Sequence, residues 1–141
     1  MNIYADTSFF VSLYIPDRHS PEAERRMAHR PAVWLTPFHV AEWTHAVEQQ
    51  VLSKAVSRAE ADLLHRRFQQ HRDSRLWVEV PLPESALDVC AQLARRCGAR
   101  LGVRTLDTLH VASALELKAE SFWTFDERQK RLAHTAGLKT A

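Results

Sequence analysis

The sequence predicts a single α/β domain over residues 1–141, a three-layer α/β/α arrangement around a central, mainly parallel sheet of four to five strands. Three observations carry that expectation. Short runs of β-branched, aromatic and aliphatic residues alternate with longer stretches whose apolar residues recur every three or four positions. The chain holds only three glycines and six prolines and shows no repeat or low-complexity tract, so long flexible linkers are not expected. Strands alternating with helices imply right-handed crossovers, which make a sheet parallel and lay helices on both its faces.

The first strand is expected at Asn2–Ala5, with others at Val33–Leu35, Trp77–Val80 and Ser121–Phe125 and a weak one at Leu138–Thr140. A short apolar helix runs from Ser8 to Ile15 and stops at Pro16. A polar helix covers Pro21 to about Arg30. Thr36-Pro37 joins an N-cap residue to a proline at the first helical position, opening a helix with the stripe Val40, Trp43, Val47, Val51. Ser57 with Glu60 forms a capping box for a strongly polar helix reaching about Arg72, whose buried stripe is Ala61, Leu64, Phe68. Its exposed side suits either plain solvation or a partner. Pro83–Cys97 forms the next helix, with Gly98 as its end. Thr105 is expected to cap a helix reaching Leu117 that is apolar on most faces, Leu106 included, and therefore buried. A last helix follows Asp126 and ends at Gly137.

Bulk properties exclude several classes. With 45% apolar and 26% charged residues the balance is ordinary for a globular domain. The formal charge of +2 permits a nucleic-acid partner without demanding one. The N-terminus lacks the basic segment and apolar stretch of a signal peptide, and no apolar run approaches membrane-spanning length. A cytoplasmic protein with no membrane association is expected. Cys90 and Cys97 lie two helical turns apart, roughly 10 Å along an axis, too far for a disulfide, and read as buried thiols. No zinc-finger spacing occurs. Trp34, Trp43, Trp77 and Trp123 fall in strands or on an apolar stripe and read as core, not as base-stacking platforms.

The acids give the functional signal. Asp6 ends the first strand, and Asp126 in "FWTFDER" stands where a later strand gives way to a helix. In a parallel sheet both lie at the same edge. Crossover helices run antiparallel to the strands, so their N-termini reach that edge too, bringing Glu42 in the second turn of one helix and Asp107 at the start of another. Clefts at the carboxyl ends of strands are where open α/β sheets bind ligands. Alone, Asp6 or Asp107 reads as readily as an N-cap or solvated charge as it does as a ligand, and Asp126 or Glu42 reads better as a cap or solvated charge. Together, four carboxylates at one edge repel one another, and a hard divalent cation relieves that repulsion with oxygen ligands, as magnesium or manganese prefer.

The fragments "IYADTSFF", "HVAEWTHAV", "RTLDTLHVASAL", "FWTFDERQKRLA" and "AGLKTA", in this order and spacing, resemble the PIN-domain nucleases, especially the VapC-type toxins of bacterial toxin–antitoxin pairs, over essentially the whole chain. The resemblance implies an α/β/α PIN fold and Mg2+- or Mn2+-dependent cleavage of RNA. It implies Asp6, Glu42, Asp107 and Asp126 as catalytic and metal-binding acids, with Thr7, Ser8 and Thr124 as supporting polar positions. It also implies a homodimer and, for the toxin branch, an antitoxin covering the site.

For the chemistry, a cation held by Asp6 and Asp107 would activate water for in-line attack on a phosphodiester, leaving 5′-phosphate and 3′-hydroxyl ends. Arg104 and Arg128 are the nearest cations to the acids in sequence and, with Arg100, are the candidate phosphate contacts; Lys130 and Arg131 read better as a solvated face. Other classes fit in part. Acid-x-x-His recurs at Glu42/His45, Asp62/His65 and Asp107/His110, as in di-iron bundles, but those are all-helical, and His39 and His45 are expected on the exposed side of their helix. A PIN-like nuclease of RNA maturation or decay, or a non-catalytic RNA- or protein-binding module, keeps the same fold.

Overall fold

The computed structural model describes residues 1–141. Four strands form one sheet: β1 (Asn2–Ala5), β2 (Ala32–Leu35), β3 (Val78–Glu79) and β4 (Ser121–Trp123), in the order β3-β2-β1-β4 and all parallel. Register places Ile3 beside Val33 and Ser121, and Tyr4 beside Trp34 and Phe122. The expected weak strand at Leu138–Thr140 reduces to a bridge from Thr140 to Phe122, although the backbone of Lys139 and Ala141 hydrogen-bonds Phe122 on both sides. β3 is shorter than expected because it is an edge strand running into Pro81, which has no N–H to donate; Trp77, just before it, is buried. β4 stops at Trp123, and Thr124 turns away toward the acids.

Helices α1 (Thr7–Tyr14), α2 (Ser20–Met27), α3 (Pro37–Leu52) and α4 (Arg58–Asp73) supply most of one core, with Ile3, Ala5, Val33, Leu35 and Trp123 from the sheet. Helices α5 (Ala86–Leu93), α6 (Ala99–Leu101), α7 (Thr105–Glu116) and α8 (Glu127–Thr135) cover the other face, over Tyr4, Trp34 and Phe122. Successive strand residues thus point to opposite cores, as the pleat demands, and the three layers are those expected. The tryptophans are core residues and both cysteines are buried free thiols. On α4 the stripe holds: Ala61 and Phe68 are buried and Leu64 half-buried.

Three local expectations are corrected. Gly98 does not end its helix. α5 continues through a π-helical turn, Ala94–Gly98, into α6, and the chain breaks at Gly102, whose φ of 66° lies in the left-handed region that glycine enters without a Cβ clash. Thr105 does not cap α7; Arg104 holds that position without a side-chain cap bond, so Asp107 is the third helical residue. Leu106 is 52% exposed, lining a cleft instead of the core, while Thr108–Ala114 is buried as expected.

No helix is long and apolar enough to cross a membrane.

Candidate active site

Asp6 follows the last residue of β1 and caps α1: its Oδ1 accepts from the Phe9 N–H at 3.2 Å and from the Ser8 hydroxyl at 2.7 Å. Asp126 does the same for α8, its Oδ1 accepting from the Gln129 N–H at 2.9 Å. Capping therefore explains part of why an acid stands at each strand–helix junction. It does not explain their company. Glu42, Asp107 and Asp126, from α3, α7 and the β4–α8 junction, line one cleft of about 760 Å³ at the carboxyl edge of the sheet. Asp6 does not line that cleft; it is 6% exposed and reaches it through Thr124, whose hydroxyl donates to Asp6 Oδ2 at 3.0 Å and accepts from the Asp126 N–H.

Arg104, Arg128 and Arg131 also line the cleft. Arg131 is thus better placed than its sequence position suggested. Arg100 lies outside it, on an adjoining depression shared with Lys130, Arg131 and His134.

Electrostatics divides the acids. Burial pushes the Asp6 carboxyl up, against the hydrogen bond from Ser8 and the field of His110. Burial also works against the charge of Glu42, but the hydrogen bond and charge of His110, helped by Thr7, outweigh it and hold Glu42 below the usual carboxylate range. Asp107 is raised by burial and then by the charge of Asp126; His110 lowers it, Glu42 raises it further and Arg104 opposes last. Mutual repulsion of three carboxylates at an oxygen-only site is the environment in which a hard dication is stabilising. The donor set fits Mg2+ or Mn2+. No three acidic, histidine or cysteine side chains stand close enough to form a ready-made cage, so the acids would have to draw together around an ion.

The supporting hydroxyls divide their work. Ser8 serves Asp6, whereas Thr7 donates to Glu42 Oε1 at 2.6 Å. Thr124, 3% exposed, accepts from the Asp126 N–H at 3.0 Å and offers its one proton to Asp6 Oδ2 and to Gln129 Oε1 at 2.7 Å. Gln129 passes the connection on, its Nε2 donating to the Asp107 carbonyl at 3.1 Å.

Sequence reasoning missed four residues here. Gln129, His110, His39 and Tyr4 are all buried polar groups. His39, expected on the exposed side, is fully buried: Nδ1 accepts from the Thr36 N–H at 3.0 Å, completing a capping box for α3, and Nε2 donates to the Ala5 carbonyl at 2.7 Å, next to Asp6. His45 is exposed as expected. His110 joins Glu42 through Nε2 and Tyr4 through Nδ1. The available signal was a histidine in the middle of a helix otherwise destined for the core, where a buried polar group must have a partner.

Comparison with curated proteins finds no match. Among solved structures, FitAcB from Neisseria gonorrhoeae superposes with a TM-score of 0.73 at 19% identity, covering 98% of this chain and 95% of that one. The Mycobacterium tuberculosis toxin VapC20, described as cleaving the sarcin-ricin loop, gives 0.68 at 18% identity, with 96% and 95% covered. VapBC2 from Rickettsia felis, solved bound to a promoter DNA fragment, gives 0.67 at 16% identity, with 100% and 98% covered. At these identities the likeness is one of fold. A model of the PIN domain family matches residues 3–135, nearly the whole chain with Asp6, Glu42, Asp107 and Asp126 inside the match, and this chain therefore belongs to the PIN domain family.

Proposed function

We propose that the chain is a Mg2+- or Mn2+-dependent endoribonuclease, the toxin of a type II toxin–antitoxin pair. One observation carries the enzymatic part: Glu42, Asp107 and Asp126, remote in sequence, line a single cleft with Arg104 and Arg128 beside them. A deep acidic site alone would repel RNA, and an arginine-lined surface alone would only bind it. Acids and arginines in one cleft can hold a phosphate next to a cation. The toxin part is supported by the similar structures, which include toxins and toxin–antitoxin complexes.

In this reading Asp6, Glu42, Asp107 and Asp126 hold the cation, which when bound lowers the pKa of water and offsets phosphoryl charge. Arg104 and Arg128 grip backbone phosphates through charge-assisted hydrogen bonds, with Arg100 reached by a longer strand. Ser8 and Thr124 keep the Asp6 carboxylate in one orientation, and Thr7 does so for Glu42. No side-chain nucleophile is needed, and the products carry 5′-phosphate and 3′-hydroxyl ends. A homodimer in the cytoplasm and a small antitoxin that covers the cleft complete the proposal.

The test compares wild type with Asp107→Asn on total RNA in magnesium, with the new ends mapped. Cleavage by wild type that is lost on chelation and absent in the variant is the expected result. Equal cleavage by both would remove the assignment.

A further inference from the structure

One buried polar network reaches the cleft from below. Tyr4 on β1 and His110 on α7 are 0% and 2% exposed, so their polar atoms depend on protein partners. The Tyr4 hydroxyl lies 2.8 Å from His110 Nδ1. His110 Nε2 hydrogen-bonds Glu42 Oε1 and lies 3.2 Å from the Thr7 hydroxyl, which itself donates to the same Glu42 oxygen. A carboxylate only accepts, so Nε2 must carry a proton and donate it to Glu42, while the Tyr4 hydroxyl holds the ring from its Nδ1 side. The ring is held flat as well, stacked on Phe38 with centroids 4.3 Å apart and an interplanar angle of 20°. Two donors thus converge on Glu42 Oε1, and Oε2 takes no hydrogen bond from the protein.

We propose, building on the metal-dependent reading above, that His110 is a positioning residue: its Nε2–H, with Thr7, anchors one oxygen of Glu42 so that the other is presented to the divalent cation, and Tyr4 holds the imidazole in place from its Nδ1 side. A free glutamate side chain has several rotamers to lose on binding an ion; an anchored one has lost them already. Partners that orient a ligand in this way typically change metal affinity by about 10–100-fold.

The test uses the full chain and reads Mn2+ binding directly, by electron paramagnetic resonance of the free ion, beside RNA cleavage kinetics. His110→Gln places an amide N–H near the Nε2 position; His110→Asn is too short to reach Glu42. Expected values are about tenfold weaker Mn2+ binding and a comparable fall in kcat for His110→Asn, with RNA KM within about twofold, and recovery to within about threefold of wild type for His110→Gln. Tyr4→Phe, which keeps the ring packing, weakens Mn2+ binding by about threefold, below the usual range because it acts one bond further away. Wild-type binding in His110→Asn, or an equal loss in His110→Gln, overturns the positioning role and leaves the nuclease assignment standing. Should His110→Asn fail to fold, an unchanged affinity in Tyr4→Phe together with an unrescued His110→Gln overturns it. A wild type that binds no Mn2+ and cleaves nothing overturns both readings.

Discussion

The inner acids, Asp6 behind the cleft wall and Glu42 on it, are held differently from the outer ones, Asp107 and Asp126. On the inner side Asp6 is tied by Ser8, the Phe9 N–H and Thr124, and Glu42 by Thr7 and His110. On the outer side Asp107 has no hydrogen-bonding partner for its carboxylate: burial raises it first, then the charge of Asp126, with His110 lowering it, Glu42 raising it and Arg104 lowering it. Asp126 and Arg104 are exposed. The inner acids are therefore part of the fold as well as of the site. Of the outer pair, Asp126 keeps only the cap bond from the Gln129 N–H, and the Asp107 carboxylate takes no hydrogen bond from the protein, which leaves its oxygens free for a ligand.

That contrast can be broken by substitution. The largest effect is on cleavage. Removing either an inner or an outer acid, Asp6→Ala or Asp107→Ala, is expected to reduce RNA cleavage more than about 100-fold, beyond the usual effect of outer-shell partners. Stability should separate the two. Asp6→Ala loses the α1 cap that Asp6→Asn retains, so the alanine variant is expected to be about 1 kcal/mol less stable than the asparagine one. Asp107→Ala and Asp107→Asn should unfold alike in denaturant. A cap-sized gap at Asp107, or none at Asp6, would erase the distinction.

A second expectation concerns the inner side alone and depends on pH. Burial, with the charge of His110, holds His39 well below the ordinary imidazole range, so it is neutral in the fold while the unfolded chain takes up a proton below about pH 6.5. The unfolded state then binds more protons, and stability falls as pH falls below that value, with a slope approaching about 1.4 kcal/mol per pH unit from this residue. Asp6 and Asp107, raised by burial, act in the opposite sense above the ordinary carboxylate range. Denaturation of wild type and His39→Gln at pH 5 and pH 7 isolates the histidine: the variant should lose that component. Parallel pH profiles would show that His39 is not held neutral.

The smallest effect lies on the outer rim. Arg104→Ala should weaken RNA binding and lower the slope of log affinity against log salt by about one, with stability unchanged, as expected for a single phosphate contact. An unaltered salt slope would move the RNA path away from Arg104.

Much of this architecture was legible beforehand. The alternation of Asn2–Ala5, the Thr36-Pro37 opening, the Ser57–Glu60 box and the apolar stripes gave the layers, and the strand–helix junctions put Asp6 and Asp126 at one edge. These are local signals with local causes. The errors were of another kind. Gly98 looked like a stop because glycine often ends helices, but the chain found a later glycine, at φ 66°, better suited. His110 entered only as part of an acid-x-x-His recurrence set aside with the all-helical bundles, and His39 looked solvent-facing. Neither spacing nor propensity says which buried donor meets which acceptor.

The sequence by itself determined the layers, the edge at which the acids gather and their chemical kind, because hydrophobic period and capping chemistry act over a few residues. Only the tertiary structure decided how each group is held: Asp6 buried away from the cleft lining, Glu42 pinned through one oxygen, Asp107 left unsatisfied, Arg100 turned outside. Those outcomes depend on contacts between segments as far apart as Tyr4 and His110, whose side chains become neighbours only once β1 and α7 pack together.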